Sequence, residues 1–95
     1  MQIEIWCVSA DAYAVRVHPW EPNFATLMET APQTKWRAEG YWQLPITEPN
    51  TKWLAQNVMG RYGKDVTISS DAKTFMTHAL LEAKAQGVEW AAKER

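Results

Sequence analysis

Thiol chemistry is almost missing from this chain. Cys7 is its only cysteine, so no internal disulfide can form and no cysteine-rich zinc site can be built. Histidine is scarce as well. His18 and His78 lie far apart and lack a cysteine or acidic partner at ligand spacing, so no metal site is expected. Long apolar runs are absent, because the longest span only a few residues against the roughly 20 that cross a bilayer. The opening MQIEIWCVSADAYAV has neither a basic start nor a long apolar stretch, so a secretory leader is not expected. These absences together read as a cytoplasmic protein without membrane association, of a kind that suits bacteria or their phages and plasmids.

Catalytic signatures are missing too. No nucleophile–base pair, carboxylate pair or phosphate loop occurs at usable spacing, which argues against an enzyme, and nothing points to a cofactor. Gly60-Arg61-Tyr62-Gly63-Lys64 superficially suggests a phosphate loop, but it follows a helical pattern and lacks the glycine spacing and the Lys-Ser/Thr ending. Cys7 reads as a packed residue rather than a reactive one.

Cations are not in excess either. The net charge is −1, which argues against strong nonspecific polyanion binding, because such affinity comes from Lys and Arg neutralising phosphates. Their distribution is more informative. Residues 1–31 set Arg16 against Glu4, Asp11, Glu21 and Glu29, a balance of −3. Residues 32–64 set Lys35, Arg37, Lys52, Arg61 and Lys64 against Glu39 and Glu48, a balance of +3. The central block is the one electropositive segment.

Tryptophan is what the chain has in abundance, with six in 95 residues. Each can bury about 150–250 Å², so a few of them could supply much of a small core. Hydrophobic content of 46% and charged content of 22% are ordinary for a globular chain, and the length suits one domain, residues 1–95.

The periodicity predicts an order of elements. QIEIWCV (2–8) and AYAVRVH (12–18) alternate and read as an antiparallel hairpin, with Tyr13, Val15 and Val17 on one face and Arg16 and His18 on the other. Trp20, Phe24, Leu27, Met28 and Ala31 then follow a helical stripe, with Pro22 in the first turn and Pro32 as the stop. A second hairpin follows in PQTKWRAEGYWQLP (32–45). Its AEG connection, with Gly40 left-handed, sets Arg37 opposite Tyr41 and Trp36 opposite Trp42. Alternation puts Trp36, Trp42, Leu44 and Ile46 on one face and Lys35, Arg37, Tyr41 and Gln43 on the other. A helix over 47–63 with Thr47 as N-cap is expected next, its stripe built on Trp53, Leu54, Val58 and Tyr62. A strand at 65–69 and a helix capped by Ser70 or Asp71 complete the pattern, the helix carrying Ala72, Phe75, Met76, Ala79, Leu80 and Ala83. Gly87 interrupts or ends it, with a helical extension or frayed tail at 87–95. The order ββαββαβα implies an α+β fold: a mostly antiparallel sheet with helices packed on one face.

In this register Trp36 and Trp42 are expected to wall the core, and Trp20 and Trp53 to join them. The working face is then the opposite one. Lys35, Arg37, Tyr41 and Gln43 combine two cations, an aromatic plane and an amide, which is what contact with a nucleic-acid backbone and an unstacked base requires. Lys52, Arg61 and Lys64 extend the basic block. The same residue types also occur on any solvated strand face, so both readings stand at this point. Trp90, near the charged terminus, reads either as cover for the sheet or as an anchor for a partner.

The stretch AVRVHPWEPNFATLMETAPQTKWRAEGYWQLPI, followed by a helix and YGKDVTISSDA, resembles the HARP (HepA-related protein) domain found before the motor of many Swi/Snf-type ATPases. The motif residues are Pro32, Trp36, Trp42 and Pro45, and the resemblance spans about residues 14–72. Gln33 stands where that family often has glycine after the turn proline. The resemblance implies a compact α+β module that contacts forked or single-stranded DNA without catalysis. A free-standing copy would bind DNA alone, serve a helicase or nuclease as a separate chain, or imitate such a module to block it. The competing expectation is a phage- or plasmid-encoded protein-interaction factor, an inhibitor or adaptor of a nucleic-acid-processing or defence complex. The edge strands leave a homodimer open.

Overall fold

Alternation of inward and outward side chains shapes the first two strands. In the computed structural model, which describes residues 1–85, β1 (Gln2–Ser9) and β2 (Ala12–His18) form an antiparallel hairpin with Ile5 opposite Val15 and Trp6 opposite Ala14. Ile3, Ile5, Tyr13, Val15 and Val17 point inward and are buried. Helix α1 (Pro22–Glu29) begins where Glu21 accepts the Asn23 N–H at 2.8 Å, and it turns Phe24, Ala25 and Met28 into the core. Strands β3 (Lys35–Arg37) and β4 (Tyr41–Pro45) then pair with Trp36 opposite Trp42 and Arg37 opposite Tyr41, the expected register. Gly40 closes their turn at φ +103, donating its N–H to the Arg37 carbonyl at 2.9 Å.

Thr47 caps α2 (Glu48–Trp53), its hydroxyl accepting the Asn50 N–H at 3.2 Å. The helix runs on through a π-helical segment (Leu54–Met59) into the short α3 (Gly60–Tyr62). The expected helix is therefore one rod with a widened middle, whose Leu54, Ala55, Val58 and Met59 are all buried. A 3-10 turn (Gly63–Asp65) leads to β5 (Val66–Ile68) and α4 (Ser70–Ala85). The cap of α4 is Ser69, one residue before the expected Ser70 and two before the alternative Asp71: its hydroxyl accepts the Ala72 N–H at 3.3 Å.

The sheet order is β3-β4-β2-β1-β5, antiparallel throughout except that β5 runs parallel to β1, with Ile3 opposite Val66. The fold is α+β, and the sheet is mostly antiparallel as its sequence pattern implies. The helices bring Phe24, Met28, Leu54, Val58, Met76 and Leu80 against the inward side chains of the sheet, forming one core. Within it the Tyr13 hydroxyl and Thr51 Oγ1 share a buried hydrogen bond of 2.7 Å, and burial pushes the Tyr13 phenol above its ordinary pKa.

Three aromatic residues depart from the expected core. Trp20 precedes the capped start of α1 rather than riding its stripe, and it is 57% exposed. Phe75 lies 48% exposed on α4. Trp36 lies on the expected face but is 51% exposed, because β3 is a three-residue edge strand with no neighbour beyond it among the described residues. Trp42, one strand further in, is 3% exposed. The expected extension at 87–95, with Trp90, lies outside the described residues. Among the described residues no helix is long and apolar enough to cross a membrane, and no group of three or more potential ligands could hold a metal ion.

Candidate nucleic-acid interface

With the helices packed on one side, the sheet's other face is covered by no element among the described residues. The alternation decides what that face carries: Gln2, Glu4 and Trp6 from β1, Arg16 and His18 from β2, Tyr41 and Gln43 from β4, and Lys35 and Arg37 from β3. Lys35, Arg37, Arg16 and His18 are exposed, while Tyr41 and Gln43 are half-buried.

The half-burial of Tyr41 has a clear cause. Trp6 and Tyr41 sit on strands that flank β2, and their rings meet edge to face at 5.5 Å. Ala14 lies between those strands, opposite both Trp6 and Gln43, and is fully buried. Its single methyl leaves room for the two rings to lean together. Arg16 stacks over Trp6 with its guanidinium carbon 5.2 Å from the ring centroid, and it also binds Glu4, donating from Nε at 2.9 Å. The result is a fixed aromatic ridge across the middle strands, with Arg16 held on one flank and Lys35 and Arg37 on the β3 flank. Neither Lys35 nor Arg37 makes a salt bridge among the described residues.

Two of the shallow hollows on this face border its cations. One, of about 330 Å³, is lined by Gln2, Glu4, Arg16 and His18. The other, of about 500 Å³, lies beside Lys35 and Gln43 and is bordered by Asp11, Gln33 and Pro45. The carboxylates of Glu4 and Asp11 make both hollows poor phosphate seats, so the phosphate-binding capacity rests with Lys35 and Arg37 at the edge.

The remaining basic residues lie elsewhere. Lys52 projects from α2 on the helical side, between Glu48 at 3.3 Å and Glu82 of α4 at 3.4 Å. Hydrogen bonds to those carboxylates raise its pKa, and its charge is already answered. Arg61 lies exposed in α3, also in the helical layer. Lys64 is exposed just before β5, at the opposite edge of the sheet from β3. Four strand spacings separate those edges, about 19 Å. Lys35, Arg37, Tyr41 and Gln43 are therefore brought together, while Lys52, Arg61 and Lys64 are not part of the same surface.

Trp6 and Arg16 are additions that sequence reasoning missed. The signal was present, since Trp6 shares the parity of Gln2 and Glu4, and an indole on the polar side of an alternating strand calls for a reason. Cys7 takes the opposite parity and packs against the core, where burial first and the nearby Asp71 charge second push its thiol pKa up. That is the inert state expected of it.

Comparison with family models, with curated proteins and with solved structures returned no match.

Proposed function

We propose that this chain is a non-enzymatic DNA-binding module for forked or single-stranded DNA, acting as an accessory to a helicase or nuclease. The observation that carries the reading is the sheet face that the described helices leave open, where a preassembled Trp6–Tyr41 ridge lies beside the exposed cations Lys35 and Arg37. Phosphate contacts hold and position a strand, and aromatic planes accept unstacked bases without regard to sequence. The HARP resemblance supports the same reading through Pro32, Trp36, Trp42 and Pro45. Gln33, the departure from that family's usual glycine, sits at φ +59, the left-handed backbone that glycine adopts most readily.

With few free cations on the face and a net charge of −1, binding is weak and best seen at low salt. Fluorescence anisotropy of a labelled forked DNA tests it. Lys35→Glu/Arg37→Glu is expected to abolish the signal, and equal binding by wild type and the double variant would reject the proposal.

A second reading, a phage- or plasmid-encoded inhibitor or adaptor of a defence or nucleic-acid-processing complex, draws on the helical side. There Phe75 borders a hollow of about 310 Å³ between α2 and α4, together with Ile46 and His78. A stoichiometric partner recovered by wild type and lost with Phe75→Glu would favour it. Equal recovery by both proteins would count against it.

A further inference from the structure

Three tryptophans gather at the β3 edge, on the opposite side of the sheet from the Trp6–Tyr41 ridge. Trp20 stacks on Trp42 with centroids 5.4 Å apart and planes at 22°, and Trp36 meets both edge-on, at 5.6 Å from Trp20 and 4.9 Å from Trp42. Trp42 is closed off: it is 3% exposed and also meets Phe24 at 5.7 Å. It anchors the other two, which each leave about half their surface to water. Rings held this way need no reordering before a ligand arrives.

We infer that Trp20 and Trp36 form a base-stacking step at the sheet edge, which takes an unpaired nucleobase of a strand whose phosphates lie along Lys35 and Arg37. This rests on the DNA-binding reading given above. Three observations support it. The first is placement. Trp36 sits between Lys35 and Arg37 in an edge strand, so successive side chains point to opposite faces only about 3.3 Å apart along the chain. A strand crossing that edge meets indoles on one side and two cations on the other.

The second is size. Half of two indoles amounts to roughly 200 Å² of apolar surface. A stable protein interface buries about 800 Å² per partner, so the patch is too small to be one by itself, yet it suits one or two base faces. The third is selectivity. A paired base is already covered above and below by its neighbours, so only an unpaired one can use the step, while Lys35 and Arg37 serve either form. The indoles therefore confer preference for single strands, and the cations confer affinity for any DNA.

The test compares a single-stranded oligonucleotide of about 12 nucleotides with its duplex, using the full chain. Stacking one base is worth about 1–3 kcal/mol, or roughly 5- to 150-fold in affinity. Trp36→Ala is expected to weaken single-strand binding within that range, and Trp36→Phe to keep most of it. Duplex binding should change no more than about twofold. If Trp36→Ala leaves single-strand affinity intact while Lys35→Glu/Arg37→Glu lowers both forms, the stacking step is overturned and the basic face stands. If wild type binds neither form, the underlying DNA-binding reading itself falls. Should Trp36→Ala fail to fold, tryptophan quenching in a Trp6→Phe background, which removes the indole of the open face, decides. Stronger quenching by the single strand than by the duplex, at matched saturation, supports the step, and equal quenching overturns it.

Discussion

Trp42→Ala and Trp36→Ala should differ sharply in their cost to stability, although the two indoles face each other across one pair of strands. Trp42 is 3% exposed and Trp36 51%. A fully buried indole removes about 150–250 Å² from water, worth about 4–6 kcal/mol at about 25 cal/mol per Å². The alanine left behind recovers part of this, and Trp→Ala changes in cores cost about 3–5 kcal/mol. Trp36 keeps about half its surface in solvent, so its loss should cost about 1.5–2.5 kcal/mol by the same scaling. A domain of this size has about 5–14 kcal/mol in total. Trp36→Ala should therefore stay folded, while Trp42→Ala should be marginal.

Urea denaturation followed by far-UV circular dichroism reads the difference without relying on the altered fluorophores. With an m value of about 1.5 kcal/mol/M, the midpoint should fall by about 1–1.7 M for Trp36→Ala and about 2–3 M for Trp42→Ala. Equal losses would mean that Trp36 carries as much of the core as Trp42, leaving no spare ring for a ligand. A loss below about 1 kcal/mol for Trp42→Ala would refute the assignment of that face to the core.

Further outcomes follow from other parts of the molecule. Gly40→Ala should destabilise by about 1–2 kcal/mol through backbone conformation alone, since φ is +103 and an added Cβ would meet nothing within 4 Å; Gln33→Gly should instead stabilise by up to about 1 kcal/mol, both by the same urea assay. The salt dependence of single-strand binding should be shallow, with a log–log slope of about −1.4 for the two phosphates neutralised by Lys35 and Arg37; a slope near −3.5 would mean that Lys52, Arg61 and Lys64 also engage. The Asp71 carboxyl is held below its ordinary pKa, first by the Ser69 hydroxyl and then by the Ala72 N–H. Its contribution to stability is present above the unfolded value and is lost as pH falls through the lowered folded one. The gap in urea midpoint between wild type and Asp71→Asn should therefore be widest near neutral pH and narrow towards pH of about 3; a gap that widens on acidification would contradict the stabilising role of its bonds to Ser69 and Ala72.

What could be read from sequence was local. The AEG turn with its glycine set the register of β3 and β4, and alternation assigned Tyr13, Val15, Val17, Arg16 and His18 of β2 and the side chains of β4 to their faces. Thr47 and the flanking prolines marked helix ends. What depended on neighbours in space was not legible. Parity puts Trp36 on the inward face, but cover comes from whatever lies beyond it, and β3 is an edge. Trp20 fits the α1 stripe by spacing, yet Glu21 caps the helix after it, so the indole falls outside the first turn. Lys52 has the look of a free cation until α4 brings Glu82 beside it. The parallel pairing of β5 with β1 likewise has no signature within either segment. The candidate site splits the same way: Lys35, Arg37, Tyr41 and Gln43 cluster because they are consecutive in one hairpin. Trp6 and Arg16 join them only through the strand order.

Chemical-shift mapping locates the working surface most directly. A 15N-labelled sample titrated with a single-stranded oligonucleotide at low salt should shift the amides of Arg16, Lys35, Trp36, Arg37, Tyr41 and Gln43, together with the indole N–H of Trp6, Trp20 and Trp36. Shifts confined to α2 and α4 around Lys52, Phe75 and His78, or no shifts at saturating oligonucleotide, would contradict a nucleic-acid surface on the open side and β3 edge of the sheet.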